Sequence, residues 1–289
     1  MTALGPLQAG AAPAAAAGEA APPKTVKGTR KWGDWSLRIV AGLVLLYLFI
    51  PIFVIVLFSF NKPRGKFNYS WQGFTFDNWL DPFKYPALTN AMKLSLNVAA
   101  VSTLIALVLG TLVAIALVRQ RWRGQRAVDT FLVLPLTAPE VVMGASLLVL
   151  FLDLGWATGY TTILLAHIAF EVSFIAMTVR ARVRGFDWTL EDASMDLGAS
   201  PARTFFKVTL PLIVPGIVAA AMLSFALSLD DFIITYFVSG SSVTYPLYVN
   251  AAVKAAVPPQ INVLATAILI ASLILLGVGT LYRRKRIDG

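Results

Sequence analysis

From residue 39 onward the chain alternates long apolar runs with short charged segments. Six runs, near 39–60, 91–118, 131–152, 160–182, 212–238 and 261–282, are each long enough to cross about 30 Å of hydrocarbon as a helix. Two of them, Leu94–Val118 and Ile261–Tyr282, contain no charged residue. A segment surrounded by lipid has to satisfy its own backbone hydrogen bonds, so these runs predict helices. The expected fold class is an all-α transmembrane bundle of six spans.

The pattern is interrupted in places that matter. Pro51 lies inside the first run and predicts a kink there. In the third, Pro135 and Pro139 flank the approach to Glu140. They either kink the helix or break it and free carbonyls toward a cavity. The fifth carries Asp230-Asp231 about eighteen apolar residues beyond Leu212, some 27 Å along a helix at ~1.5 Å per residue. The largest interruption is DWTLEDASMDLGASPARTFFKVTLP, residues 187–211, which is too polar to span. Trp188 to Leu197 can form two helical turns, with Asp187 or Thr189 as N-cap and acidic residues at the start. Gly198 permits a left-handed C-cap. Ser200 and Pro201 suit the N-cap and N1 of a second short helix, which Leu210-Pro211 is expected to end.

Composition agrees with the pattern: 57% of residues are hydrophobic, 13% charged, and the mean hydropathy is +0.73. The net charge of +9 reflects topology once it is partitioned. Lys24, Lys27, Arg30, Lys31 and Arg38 precede the first run; Arg119, Arg121, Arg123 and Arg126 join the second to the third. Arg180, Arg182, Arg184, Arg203 and Lys207 surround the charged insert, and Arg283, Arg284, Lys285 and Arg286 follow the last run. The other side holds only Lys62, Arg64, Lys66, Lys84, Lys93 and Lys254. Basic residues favour the cytoplasmic side, so both termini and the insert are expected in the cytoplasm and the chain in the cytoplasmic membrane. Basic residues spread along membrane edges do not form a nucleic-acid surface. The absence of cysteine excludes disulfides and thiolate metal sites.

Residues 1–23 are rich in Ala, Gly and Pro with Glu19 as the only charge. They cannot build a core, and the expected organisation is a disordered tail over 1–36, a membrane domain over 37–284 and a short tail over 285–289. The tail is not expected to act as a signal peptide, because the basic cluster follows it and the first apolar run is too long. Segment 61–90 concentrates aromatics, among them Phe67, Tyr69, Trp71, Phe74, Phe76, Trp79, Phe83 and Tyr85. Such rings anchor a membrane interface and pack a small cap, and can also receive an external partner.

The order of the insert resembles the cytoplasmic "EAA" loop of ABC-importer permeases: Glu-Ala-Ala, three residues, Gly, nine residues, then Ile-x-Leu-Pro. Here Asp192-Ala193-Ser194 is followed by three residues, Gly198, nine residues, and Val208-Thr209-Leu210-Pro211. The resemblance runs from about residue 39 to the end and implies a type I importer permease bundle with a cytoplasmic coupling helix. It further implies that Glu191, Asp192, Ala193, Ser194, Gly198, Ala199, Pro201, Phe205, Leu210 and Pro211 meet an ATP-binding subunit. Family members pair two permeases above two ATP-binding subunits and receive solute from an extracytoplasmic binding protein. The chain has no GxxxxGK[ST] of its own, so ATP and Mg belong to a partner and no cofactor is expected here.

Ser224–Phe232, Phe237–Gly240, Pro258–Asn262 and Pro135–Val142 are similar to the spermidine/putrescine importer permeases. That resemblance implies a small cationic solute. Carboxylates and aromatic faces bind ammonium groups, so Asp230, Asp231, Glu140, Phe225, Tyr236 and Glu171 are candidates for its path, with Asp153, Trp156 and Phe232 beside them. An intramembrane aspartate costs roughly 2.5–3.5 kcal/mol at a helix centre, so the pair is either functional or satisfied by neighbouring helices. Thiamine, ferric iron and phosphonate are the other solutes weighed. His167 and Glu171, one turn apart on the fourth run, are expected to form a buried hydrogen-bonded pair or to pack against the partner permease. A proton-coupled secondary transporter is the rival class, and the sequence lacks the internal repeat that would favour it.

Overall fold

The computed structural model describes residues 31–120 and 122–285; the tail expected over 1–36 falls mostly outside them, as do residues 286–289. Among the described residues the regular structure is helical, apart from two isolated bridges. In order, the helices are α1 (Lys31–Ser59), α2 (Asp77–Leu80), α3 (Pro86–Arg119), α4 (Gln125–Thr137), α5 (Glu140–Asp153) and α6 (Tyr160–Val183). They continue with α7 (Thr189–Asp196), α8 (Pro201–Thr204), a π-turn (Phe205–Thr209), α9 (Leu210–Asp230), α10 (Ile233–Val238), α11 (Tyr245–Ala255) and α12 (Gln260–Lys285). The chain divides into two compact units, residues 1–51 and 52–289. In the first, the described residues are the N-terminal part of α1, exposed over 35–51 and apolar beyond Arg38.

In the second unit α6 is the central helix, packing on α3, α9, α4 and α10. Its contact with α3 is close because small residues predominate on the buried face of α3. Ala91, Ser95, Ala99, Ser102, Ala106, Gly110 and Ala114 recur at helical spacing, which is how membrane helices approach without a hydrophobic driving force between them. At Gly110 a Cβ would lie 2.9 Å from Cγ2 of Ile175 and 3.0 Å from the carbonyl oxygen of Val172. Gly110→Val is therefore expected to push α3 from α6 and cost about 1–3 kcal/mol. A lowered melting temperature of the purified protein in detergent would show it, and an unchanged one would refute the close packing.

Among the described residues, four helical segments are long and apolar enough to span: Trp35–Ser59, Pro86–Arg119, Tyr160–Val183 and Pro201–Asp230. The expected third span is not one helix. α4 and α5 meet at 110° across Ala138-Pro139. Pro139 has no N–H to continue the ladder and holds Ala138 extended, at φ −70° and ψ 139°. The fifth run also differs from expectation: its helix stops at Asp230, Asp231 turns extended at φ −61° and ψ 118°, and α10 restarts at Ile233. The sixth run is helical as α12, whose described apolar stretch is Gln260–Ile274.

The insert forms as expected at its start and differently at its end. Asp187 Oδ1 accepts from the Thr189 backbone N–H at 3.1 Å and its hydroxyl at 2.8 Å, so Asp187 supplies the cap. Ser200 accepts from the Arg203 N–H at 3.4 Å. Leu210-Pro211, however, does not end the second helix. α8, the π-turn and α9 form one helical run from Pro201 to Asp230. Pro211 sits in the first turn of α9, where its missing N–H and its ring fall on the widened π-turn instead of a regular α-ladder.

The 61–90 segment is a cap organised by asparagines that the sequence did not single out. Asn61 Nδ2 donates to Asn68 Oδ1 at 2.6 Å and to the Ser70 carbonyl at 2.8 Å, and Asn78 Nδ2 reaches the Ser59 and Asn61 carbonyls. The aromatics pack around this frame, with Phe60 stacked on Phe74 and on Trp79.

Candidate functional site

The break in the fifth run sends its two aspartates in different directions. Asp231 turns inward: its side chain is 12% exposed, and its Oδ2 accepts from the Thr235 N–H at 2.8 Å and hydroxyl at 2.7 Å. It thereby caps α10, whose first N–H groups have no helical partner. His167 Nε2 lies 3.3 Å from the same oxygen. Asp230 turns outward and lines an apolar cavity of about 560 Å³ with Leu229, Phe232, Tyr245, Pro246, Val249, Asn250, Val253, Ala265 and Ile268. Tyr245 donates its hydroxyl to the Ile261 carbonyl at 3.0 Å, and burial pushes its phenol far above the usual range, so it stays a neutral donor. One carboxylate, two aromatic rings and an amide in an otherwise apolar groove suit an ammonium group on an aliphatic stem.

Behind Asp231 runs a buried polar chain through the bundle. His167 Nε2 lies 2.9 Å from the Thr235 hydroxyl and Nδ1 lies 2.7 Å from the Ser228 hydroxyl. Ser228 meets Ser102 at 3.2 Å, and Ser102 donates to Glu171 Oε1 at 3.0 Å. His167 and Glu171 are thus both buried, at 4% and 1% exposure, and linked through two serines instead of directly. The protons can be counted. Thr235 donates to Asp231, so the contact with His167 needs a proton on Nε2. With neutral His167, Ser228 donates to Nδ1; with ionised Glu171, Ser102 donates to it, and no proton is left between the serines. One further proton, on Glu171 or His167, completes every contact.

The insert has its own acidic centre, and it is Glu191. That side chain is buried beneath α7, where Oε2 pairs with Arg119 of α3 at 2.9 Å and Oε1 accepts from the Thr209 hydroxyl in the π-turn. The Arg119 guanidinium also lies over the Trp188 ring, 5.8 Å from its centroid. Asp192, the counterpart of the motif glutamate, is exposed, as is Ala193. α7 ends in a Schellman turn: the Ala199 N–H reaches the Ser194 carbonyl, the Gly198 N–H the Met195 carbonyl, and Gly198 takes φ +86°. Ser194 bonds Thr204 at 3.1 Å, holding the two short helices together. The turn leaves Leu197 90% exposed at the tip, beside a hollow lined by Leu190, Ala193, Ser194, Gly198, Ala199, Arg203 and Val208. Phe205 is half-buried on the π-turn, and Pro201 and Pro211 are exposed.

The other sequence candidates are dispersed. Glu140 is exposed in the first turn of α5, four residues before Gly144, which packs on Phe237 and Ile234 of α10. Tyr236 is exposed and leans on Phe232, their ring centroids 5.7 Å apart; Phe225 is half-buried on α9. Asp153 is exposed, and Trp156 stacks on Phe151. Like Arg119, Arg180 does more than mark topology: it is buried and forks onto Asp129 of α4 at 2.5 and 3.2 Å. An aspartate just ahead of the apolar run, within the first turns of α4, is the available signal.

Residues 106–284 match the pattern of the family described as binding-protein-dependent transport system inner membrane component. The chain belongs to that family. It is accordingly a multi-pass membrane component of a transport system, a permease subunit and not an enzyme. The spermidine/putrescine transport system permease protein PotC of Haemophilus influenzae is 40% identical over 245 residues, 84% of this chain and 94% of that one. The putrescine transport system permease protein PotI of Escherichia coli K12 is 39% identical over 243 residues, 81% and 85% of the two chains. Among solved structures, a bacterial ABC transporter importing the acidic polysaccharide alginate matches with a TM-score of 0.63 at 17% identity, covering 88% of this permease and 96% of that chain. The MetNI methionine ABC transporter matches at 0.57 and 18%, covering 67% and 93%. These two show the fold, that of a type I ABC importer permease.

Proposed function

We propose that this permease imports a polyamine, of the spermidine or putrescine type, across the cytoplasmic membrane by alternating access. The observation carrying the reading is Asp230 at the edge of an apolar, aromatic groove, in a chain about 40% identical to permeases named for those solutes. Asp230, Phe232 and Tyr245 receive one ammonium group and its methylene stem, while Glu140, Phe225 and Tyr236 line the approach. Asp231 and Glu171 act from behind, holding the broken helix in place through His167.

Residues 187–211 dock on an ATP-binding subunit, with Leu197 and the hollow beside it as the contact. Residues 37–284 form the membrane domain, with both termini and the insert cytoplasmic, as the basic residues direct. A second permease, two ATP-binding subunits carrying ATP and Mg, and an extracytoplasmic binding protein complete the machine. Rigid-body motion of α7 then passes through Arg119 into α3 and through the π-turn into α9.

The test is uptake by the complete transporter in proteoliposomes. Labelled putrescine or spermidine is expected to enter with ATP hydrolysis and to be displaced by either polyamine, with thiamine ineffective. Competition by thiamine alone, or uptake on a proton gradient without ATP, would overturn the reading.

A further inference from the structure

The cap and the start of α12 enclose a second cavity, of about 660 Å³, whose lining differs in sign from the solute groove. Lys62, Lys66 and Lys84 line it against one carboxylate, Asp77, and among the described residues no ion pair engages these lysines. Gln260 lies in the same wall at 4% exposure with no partner for its Oε1. A buried amide left unpaired is costly and calls for an occupant. Turned over, its NH₂ faces an acceptor equally well.

The walls are fixed in advance. Val257 donates to the Lys66 carbonyl at 2.9 Å, Asn68 donates to the Val257 carbonyl at 3.2 Å, and the Lys62 N–H bonds the Gly73 carbonyl at 2.9 Å. Asn78 ties the adjoining turn to Ser59 and Asn61. Half of the basic residues assigned to the extracytoplasmic side therefore converge on one preformed hollow. In a transporter of cations such a rim repels free solute, so its charge has to serve something other than solute capture.

We propose that this lysine-lined cavity receives carboxylate side chains of the extracytoplasmic binding protein and is the ionic anchor of its docking. The proposal rests on the orientation and binding-protein partnership given above. Docking neutralises the rim, so solute delivered by the binding protein meets a lower barrier than solute arriving alone. Opposite charges meeting across the contact speed association and fix its register.

The test uses the complete transporter in phosphatidylcholine proteoliposomes, with its own loaded binding protein titrated in and ATP hydrolysis recorded. The triple variant Lys62→Gln, Lys66→Gln, Lys84→Gln is expected to need at least about tenfold more binding protein for half-maximal stimulation, with a flattened salt dependence. Lys66→Glu alone is expected to shift the same curve in the same direction. Zero-length carbodiimide coupling of the docked wild-type complex is expected to give amide crosslinks at one or more of the three lysines, read by peptide mapping. An unchanged half-maximal concentration, or no crosslink at any of the three, overturns the proposal. So does a defect seen only when phosphatidylglycerol replaces phosphatidylcholine, which makes the cavity a headgroup site. The readout holds for whichever solute the binding protein carries, so failure of the polyamine reading shows separately, as wild-type protein that takes up no polyamine.

Discussion

Glu191→Ala is expected to lower the amount of solute imported per ATP hydrolysed by at least about tenfold, with the ATP-binding subunit still attached. Among the described residues, the polar contacts of Glu191 join α7 both to α3, through Arg119, and to the base of α9, through Thr209. Hydrogen bonds to a charged group contribute roughly 1.5–3 kcal/mol. The Arg119 contribution has to be discounted, because that side chain is 46% exposed and can be rehydrated. The Thr209 bond is buried and keeps its weight. A loss near 1.4 kcal/mol in the preference for the docked arrangement of α7 is already a factor of ten in its population. The docking proposed for the insert uses the exposed face, Leu197 and its surroundings, which the substitution leaves in place. Glu191→Gln keeps an acceptor for Thr209 while losing the ion pair, and is expected to fall between. The ratio of uptake to hydrolysis in proteoliposomes measures it; a wild-type ratio in the alanine variant would remove Glu191 from the coupling path.

Gly198→Val is expected to act on the same ratio by another route. No atom lies within 4 Å of a Cβ there, so space does not forbid the side chain. The backbone does, since φ +86° costs an L-residue about 1–2 kcal/mol and more when it is β-branched. The Schellman turn would open and the exposed Leu197 would shift. Gly198→Asn, tolerated in left-handed backbone, is expected to be milder, which separates a backbone effect from a steric one.

Much of this architecture could be read from the chain because lipid enforces a simple rule. Apolar runs of the right length have to become helices, and Gly198, Ser200 and Asp187 took the turn and cap positions their chemistry favours. What could not be read was continuity. Pro211 looked like a boundary yet lies inside a continuous run, because a π-turn absorbs the lost hydrogen bond one turn earlier. Pro139 did break its helix, and the difference lies in Ala138, forced extended with no wider turn to take up the proline. Which acid of the insert is buried was equally hidden. The motif spacing pointed to Asp192, whereas Glu191 faces inward, because facing is set by where α3 and the π-turn place Arg119 and Thr209. A single sequence contains no record of such distant partners.

The two aspartates of the fifth run provide the sharpest separation between solute recognition and structure. Asp230→Asn is expected to reduce kcat/KM for a polyamine by at least about tenfold while leaving folded yield, assembly and melting temperature near wild type. An ammonium about 4 Å from a carboxylate gains about 4 kcal/mol at an effective dielectric near 20. The cavity is open to one side, so only part of that survives screening, and 1.4 kcal/mol is enough for the tenfold effect. The neutral solute analogue, with its amines acetylated, is expected to be indifferent to the substitution. Asp231→Asn is expected to do the reverse. Its carboxylate caps α10 with two hydrogen bonds through Thr235 and faces His167 at 3.3 Å in a wall only 12% exposed. The Thr235 N–H, its hydroxyl and His167 all meet the same oxygen, Oδ2, so an asparagine oxygen can take its place, but a neutral amide accepts more weakly than a carboxylate, by about 1 kcal/mol per bond. The melting temperature of the detergent-purified subunit should therefore fall in Asp231→Asn and hold in Asp230→Asn. If both variants melt like wild type and both lose transport, the two carboxylates act together on the solute and Asp231 is no mere brace. If Asp230→Asn transports normally, the groove beside it is not where the cation is recognised.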